Sequence, residues 1–280
     1  MSQNELIRVG MIDFLNGAVP DYQLNLIGCE KIYGMPSDLN SKLRRGELDV
    51  SPVSSMEYIL NHMKYRILPG LCIRADRRAA TVGVFSSLPP QEWHRKKIYL
   101  SGASLTSIYL LKLLCKAYYK IQPVFIQQSL DNVIHENLTD ALKHNDAMLI
   151  IGDRAYEEQK TMNSNITYYD LAEAWRAWTG LPFIFALWLV RSEIVDLRRS
   201  CIAEIHKAFL RSISLGLKNL DDICDQLSDK WSRKQIMEYF QINLAYDLHE
   251  DGIRGLTVFI HELYCHNLIP QKVSLRFFES

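Results

Sequence analysis

Leu15-Asn16-Gly17 comes just after Ile7-Arg8-Val9-Gly10-Met11-Ile12, a run that reads as a first strand. Ligands in open α/β sheets sit at the ends of strands, and an asparagine amide both donates and accepts hydrogen bonds. Asn16 is therefore a candidate site residue; the other reading is that it caps a turn beside Gly17, and spacing alone leaves both open. Ser54 and Ser55 end the run from Glu47 to Ser54 in a similar way, a short strand passing into a polar turn. Ser104, Thr106 and Ser107 open a helix, where hydroxyls and free backbone N–H groups suit a carboxylate or phosphate. Ordinary N-capping by Ser104 explains the same pattern. Gly152-Asp153-Arg154 ends another strand, and Asp153 reads as a general base, a helix cap or the partner of Arg154, with capping or pairing the plainer reading. His261-Glu262-Leu263-Tyr264-Cys265-His266 has H-E-x-x-x-H spacing. The second imidazole then lies about 100° further round a helix than an i+4 partner would, which argues against a zinc site. No G-x-G-x-x-G or Walker sequence is present, so nucleotide binding has little support.

The elements that position these residues alternate. Pro36-Ser37 opens a helix with Ser37 as the expected N-cap, Leu39 and Leu43 on one face and Gly46 at its end. Ile98-Tyr99-Leu100 is a strand, followed by a helix capped by Ser104 with Ile108, Leu111, Leu114, Cys115 and Tyr118 on its buried face. Val124-Phe125-Ile126 is a strand, 131–143 a helix and Ala147–Ile151 a strand, an alternation that specifies parallel sheets covered by helices. Apolar residues at 171, 174, 175 and 178 have helical spacing, stopped by Gly180 and Pro182, with Trp178-Thr179-Gly180 at the turn. Trp175, Trp178 and Trp188 are rings that could stack on a flat substrate, with packing the default for the first and last.

The apolar run from Leu181 to Val190 is ten residues, against about 20 for a spanning helix, so it reads as a buried strand. From about 194 onward the chain reads as almost wholly helical, with a capping box at Ser232-Arg233-Lys234-Gln235 and an apolar face of Ile253, Leu256, Phe259, Ile260 and Leu263. No repeat, low-complexity segment or Gly/Ser linker separates the parts. Two lobes are expected, 1–82 with 191–280 and 83–190, joined by extended crossovers near 71–87 and 181–191, with the substrate cleft between them.

The 280 residues are 48% hydrophobic and 23% charged, with 32 basic and 32 acidic side chains. This balance gives no argument for nucleic acid or an anionic membrane surface. Cys29, Cys72, Cys115, Cys201, Cys224 and Cys265 show no C-x-x-C and no metal-like cluster, and read as reduced, buried thiols of a cytosolic protein. The first residues show no basic, apolar and small-residue succession of the kind that directs export, so a cytoplasmic location is expected.

Five stretches together resemble one family: VGMIDFLNG (9–17), GMPSDLNSKLRRGELDVSPVSSMEY (34–58), LSGASLTS (100–107), MLIIGDRA (148–155) and DLAEAWRAWTGLPFIFALW (170–188). It is the chorismate dehydratase family of the futalosine route to menaquinone, and the resemblance runs from about 7 to 191 and more loosely beyond. It implies a two-lobed α/β fold of the type II periplasmic-binding-protein kind and an enzyme that removes water from chorismate to give 3-[(1-carboxyvinyl)oxy]benzoate. It also implies a catalytic role for Asn16, which stands in the family's strand–F/Y–L–N context, and for Thr81, which aligns with a serine of proposed catalytic role. Ser54, Ser55, Ser104, Thr106, Ser107, Asp153 and Thr179 are the expected substrate contacts. No metal, cofactor, nucleic acid or membrane is expected, and the oligomeric state is open.

Three departures stand out. The L-N-T/C-L-P continuation is here Leu15-Asn16-Gly17-Ala18-Val19-Pro20, the serine is Thr81, and Arg77-Arg78 replaces a commoner Gly-Pro. One competing enzyme is a 1,4-dihydroxy-6-naphthoate synthase, which shares the fold but tends to carry a histidine where this chain has Ile151-Gly152-Asp153. A non-catalytic binding protein for a small anion is the reading from another class. It would call for an export signal or a lipoprotein cysteine, and a ligand-sensing regulator would call for a DNA-binding helix pair.

Overall fold

The computed structural model describes residues 6–101, 104–128, 138–144 and 146–279. Its strands, in chain order, are β1 (Ile7–Ile12), β2 (Cys29–Gly34), β3 (Val50–Ser54), β4 (Tyr65–Ala75), β5 (Val82–Ser86), β6 (Lys97–Ser101), β7 (Val124–Gln128), β8 (Ala147–Ile151), β9 (Thr167–Asp170), β10 (Phe183–Arg191) and β11 (Ala245–Leu248). Two compact units divide the chain: Met1–Arg74 with Ile184–His249 and Val273–Ser280, and Ala75–Phe183 with Glu250–Lys272. The crossings thus fall several residues before the expected 82/83 and 190/191. The helix Glu250–Cys265, expected in the first lobe, belongs to the second unit. Its Phe259 ring packs edge-on against Trp175 and Phe183, and a side chain at Gly255 would collide with the Pro182 carbonyl.

The first unit carries a six-stranded sheet in the order β11-β4-β10-β3-β1-β2. β1 is parallel to β2 and β3, whereas β10 is antiparallel to β3 and β11 to β4. The second unit carries a five-stranded sheet in the order β7-β6-β8-β5-β9, parallel from β7 to β8 and antiparallel on both sides of β5. Parallel sheets were the expectation. The exceptions have a common cause: β10 starts opposite the end of β3 and β5 opposite the end of β8, so each enters at the edge where its parallel neighbours finish and must run back.

β10 is the apolar run Leu181–Val190 of the sequence, starting two residues later and buried along nearly its whole length. Its Trp188 packs on Phe209 of the 27-residue helix Ser192–Lys218. Side chains of this size each contribute about 1.5–3 kcal/mol on burial. No described helix is long and apolar enough to cross a membrane.

Local expectations meet mixed outcomes. Ser232 and Gln235 form the capping box, Gly46 ends the helix Pro36–Arg45 in the left-handed region, and Ser104 caps Leu105–Leu113. Ser37 is not the N-cap: Pro36 takes the first helical position, where its missing N–H costs nothing, and Met35 precedes it without a side-chain cap. Tyr118 is exposed rather than buried, because Leu114–Tyr118 is a π turn whose wider spacing rotates the last residue off the apolar face. Of the helix expected at 131–143, Leu138–His144 is seen and 131–137 lies outside the described residues. Leu256, Phe259, Ile260 and Leu263 are buried, and Ile253 only partly. All six cysteines are free, but only Cys72, Cys115 and Cys224 are buried, with Cys29 intermediate and Cys201 and Cys265 exposed.

Candidate functional site

In the first unit, β1 and β3 are parallel neighbours, so the residues that follow them emerge at one edge of the sheet. After β1 the chain makes a single 3-10 turn, Leu15–Gly17, closed by the Gly17 N–H on the Phe14 carbonyl at 2.8 Å. Gly17 is needed because a Cβ there would stand 2.1 Å from the Ile12 carbonyl oxygen. The amide of Asn16 caps nothing: the turn has no side-chain cap, and the Asn16 Oδ1 is buried without a hydrogen-bond partner. A buried acceptor left unpaired costs about 1–3 kcal/mol, and no protein group pairs with this one. The Asn16 main-chain carbonyl, by contrast, accepts from the Tyr246 hydroxyl at 2.7 Å.

Ser54 caps the helix Ser55–Asn61, its Oγ accepting from the Glu57 N–H at 3.2 Å and from Asn40 Nδ2 at 3.1 Å. Asn40 is buried and accepts the Ser54 N–H in return, which leaves the Ser54 hydroxyl with its own proton to donate. Ser55 gives its single proton to the Ile184 carbonyl of β10 at 2.8 Å, fully buried, so its hydroxyl ties the start of this helix to β10. Arg74, at the end of β4, places a buried guanidinium at this same edge and holds the Asp247 carboxylate at 3.0 Å.

In the second unit, the ends of β6 and β8 and the start of β5 share an edge, joined by the Gly152 N–H on the Thr81 carbonyl at 2.7 Å. Thr81 is buried, with its hydroxyl donating to the Ala79 carbonyl at 3.3 Å. Ala80 between them has φ +62°, an unfavourable conformation for a residue with a Cβ. The Asp170 carboxylate holds it there by accepting from the N–H groups of Ala79 and Ala80, and also of Ala172 and Glu173, whose helix it caps. Burial pushes the Asp170 carboxyl above its ordinary range, with those backbone N–H groups pulling the other way. Arg78 lies 4.0 Å from Asp170 and over the Tyr168 ring, so the Arg77-Arg78 departure brings a cation to this carboxylate.

Ser104 accepts from the Ser107 N–H at 3.4 Å and from the Ser107 hydroxyl at 3.1 Å, and Thr106 is fully buried beside them. Asp153 is the first residue of the helix Asp153–Thr161, where a carboxylate opposes the positive end of the dipole. Its N-cap Gly152 has φ +69° and ψ −154°, a region open to glycine alone. Arg154 donates to Glu158 at 3.2 Å, one turn further on.

Thr179 stands apart from this group. It sits at the other end of the helix Leu171–Thr179 from Asp170, bonding the Trp175 carbonyl at 2.9 Å and the Leu181 N–H at 3.2 Å. Trp178 stacks on Tyr118, while Trp175 and Trp188 are core. His261 approaches Cys265 at 3.4 Å, and His266 faces Glu262 at 3.5 Å. Within the first unit the fold thus groups Asn16 with Ser54, and within the second Thr81 with Ser104, Thr106, Ser107 and Asp153.

Asp170, Asn40 and Tyr246 escaped the sequence reading. Asp170-Leu171-Ala172-Glu173 carries a capping signal that points to the first. Nothing local marks the other two.

A family model described as menaquinone biosynthesis matches residues 7–264. The chain belongs to that family. This menaquinone-biosynthesis chain is similar to the chorismate dehydratase of Thermus thermophilus, 26% identical over 272 residues that cover 91% of this chain and 94% of that one. Among solved structures it resembles protein AF1704 of Archaeoglobus fulgidus, with TM-score 0.74 and 19% identity over 96% of this chain and 100% of the other. It also resembles the periplasmic aliphatic sulphonate binding protein SsuA of Escherichia coli, with TM-score 0.65 and 13% identity over 98% and 97%. At such identities the likeness speaks for the fold alone, and the fold is periplasmic-binding-protein-like, as the sequence led one to expect.

Proposed function

We propose that this member of the menaquinone-biosynthesis family is a chorismate dehydratase, a hydro-lyase that forms 3-[(1-carboxyvinyl)oxy]benzoate. The observation that carries the reading is the buried, unpartnered Asn16 Oδ1 at the end of β1, in a chain whose curated relative bears that name.

Chorismate carries two carboxylates, a ring hydroxyl at C4 and a proton at C3. Its enolpyruvyl carboxylate takes the C3 proton, the C–H electron pair becomes the C3–C4 π bond, and the C4–O bond breaks to release hydroxide, which takes that proton from the carboxyl and leaves as water. The ring becomes aromatic, so much of the driving force is in the substrate. The protein has to orient the departing oxygen and hold a dianion away from water. Asn16 takes the C4 hydroxyl, its Oδ1 accepting the hydroxyl proton in the bound substrate and its Nδ2 donating as negative charge gathers on oxygen. Thr106, and Ser107 through the Ser104 hydroxyl to which it donates, hold a carboxylate at the start of the helix Leu105–Leu113 with that turn's N–H groups, and Ser54 supplies a further neutral donor.

The test is incubation of the purified, chelator-treated protein with chorismate, followed by mass. Loss of one water is the expected result. Binding without a change in mass overturns the enzyme reading in favour of a small-anion binding protein.

A further inference from the structure

We propose that Tyr246 is a positioning residue for Asn16: its hydroxyl, through the Asn16 main-chain carbonyl, fixes the turn that presents the amide. This rests on the reading of Asn16 as the group that meets the departing hydroxyl.

Three observations lead there. The turn Leu15–Gly17 is a single 3-10 turn without a side-chain cap, running straight into the four-residue helix Ala18–Asp21. The carbonyl of Asn16 lacks the usual i+4 helical donor, because residue 20 is Pro20, which has no N–H. The Tyr246 hydroxyl takes that donor's place at 2.7 Å.

The donor comes from far away in the sheet. β11 is separated from β1 by β4, β10 and β3, about 19 Å at the usual strand spacing of about 4.8 Å. The segment after Ile12 must therefore travel across the strand ends to be reached, and Tyr246 is the post to which it is tied. The phenol is buried, and burial, with Tyr239 nearby, holds its proton on well above the ordinary tyrosine range, so it remains a donor throughout the working pH. On the other side of the same residue, Oδ1 has no protein partner. The side chain's direction is then set by its backbone, to which Tyr246 adds a side-chain hydrogen bond at Asn16 itself.

The experiment is a double-mutant cycle with Tyr246→Phe and Asn16→Ala. The phenylalanine keeps the ring and removes one oxygen. Tyr246→Phe alone is expected to lower kcat about tenfold, with KM changed less than about twofold, since misplacement of a catalytic group acts on the reacting geometry. In the Asn16→Ala background the same change is expected to leave kcat within about twofold, because there is no amide left to misplace. Equal fold-losses in both backgrounds would reduce Tyr246 to a structural bond and overturn the proposal.

A second readout is independent of the reaction. The side-chain amide resonance of Asn16 in asparagine-labelled protein, identified by its loss in Asn16→Ala, is expected to shift and broaden in Tyr246→Phe without substrate. An unchanged resonance overturns the proposal even where chorismate is not the substrate. Failure of the wild-type protein to dehydrate chorismate overturns only the functional reading.

Discussion

Replacing Asn16 with alanine separates activity from stability in a direction that few substitutions do. The amide contributes no bond through Oδ1 to the folded protein, where that atom is buried and unpaired. Unsatisfied burial costs about 1–3 kcal/mol, so removing the atom relieves a penalty. Each kcal/mol moves Tm by about 2–4 °C in chains somewhat shorter than this one. Thermal unfolding of Asn16→Ala is therefore expected at or a few degrees above the wild-type Tm. In the reaction the same atom group meets the departing hydroxyl, and loss of one such donor costs about 2.7–4 kcal/mol, or 10²–10³ in kcat. The assay pairs a melting curve with initial rates at saturating chorismate. A kcat near that of the wild type would refute the catalytic role. A Tm well below the wild type would show that the amide is bonded within the fold and that its unpaired state was misread.

Thr106→Ala and Ser107→Ala are expected to raise KM with kcat little changed, because a carboxylate contact made alike in ground and transition states is uniform binding; steady-state rates over a range of chorismate check this, and a large fall in kcat at saturation would place these hydroxyls in the chemistry. Thr81→Ser keeps the hydroxyl that meets the Ala79 carbonyl, so its turnover should stay close to wild type in the same assay. His261→Ala, on a side chain whose near contact is Cys265, should leave kcat and KM unaltered. Asp170→Asn should unfold at lower temperature, since an amide turns a donor toward backbone N–H groups that need an acceptor. Because burial raises the Asp170 pKa in the folded state, its titration contributes stability that is full below the unfolded value and lost as pH rises through the folded one. Melting curves from pH 3 upward should accordingly show the stability gap between wild type and Asp170→Asn narrowing as that carboxyl ionises.

What could be read from the chain alone follows physical range. Asn16 and Ser104 were legible because strand ends and helix starts are written in adjacent residues. β10 was legible because ten apolar residues between Gly180 and Arg191 allow little else. Of β4 only the part from 71 onward was expected to be extended; the strand begins at Tyr65 and carries Gly70 at φ +72°, opposite Leu248 of β11. β11 itself has four residues and was lost among helices. Its Tyr246 meets Asn16 across 230 positions of sequence, a contact set by sheet order and by no local pattern. That Asn16 does not cap its turn also needed the structure, because spacing alone leaves capping open.

The most direct test of the central claim is a single turnover with enzyme in excess, quenched and weighed by mass spectrometry for wild type and Asn16→Ala side by side. Wild-type protein is expected to convert its bound chorismate to a product lighter by one water, while Asn16→Ala retains chorismate unchanged over the same interval. Conversion at equal rates by both proteins, or by neither while chorismate stays bound, would contradict that claim.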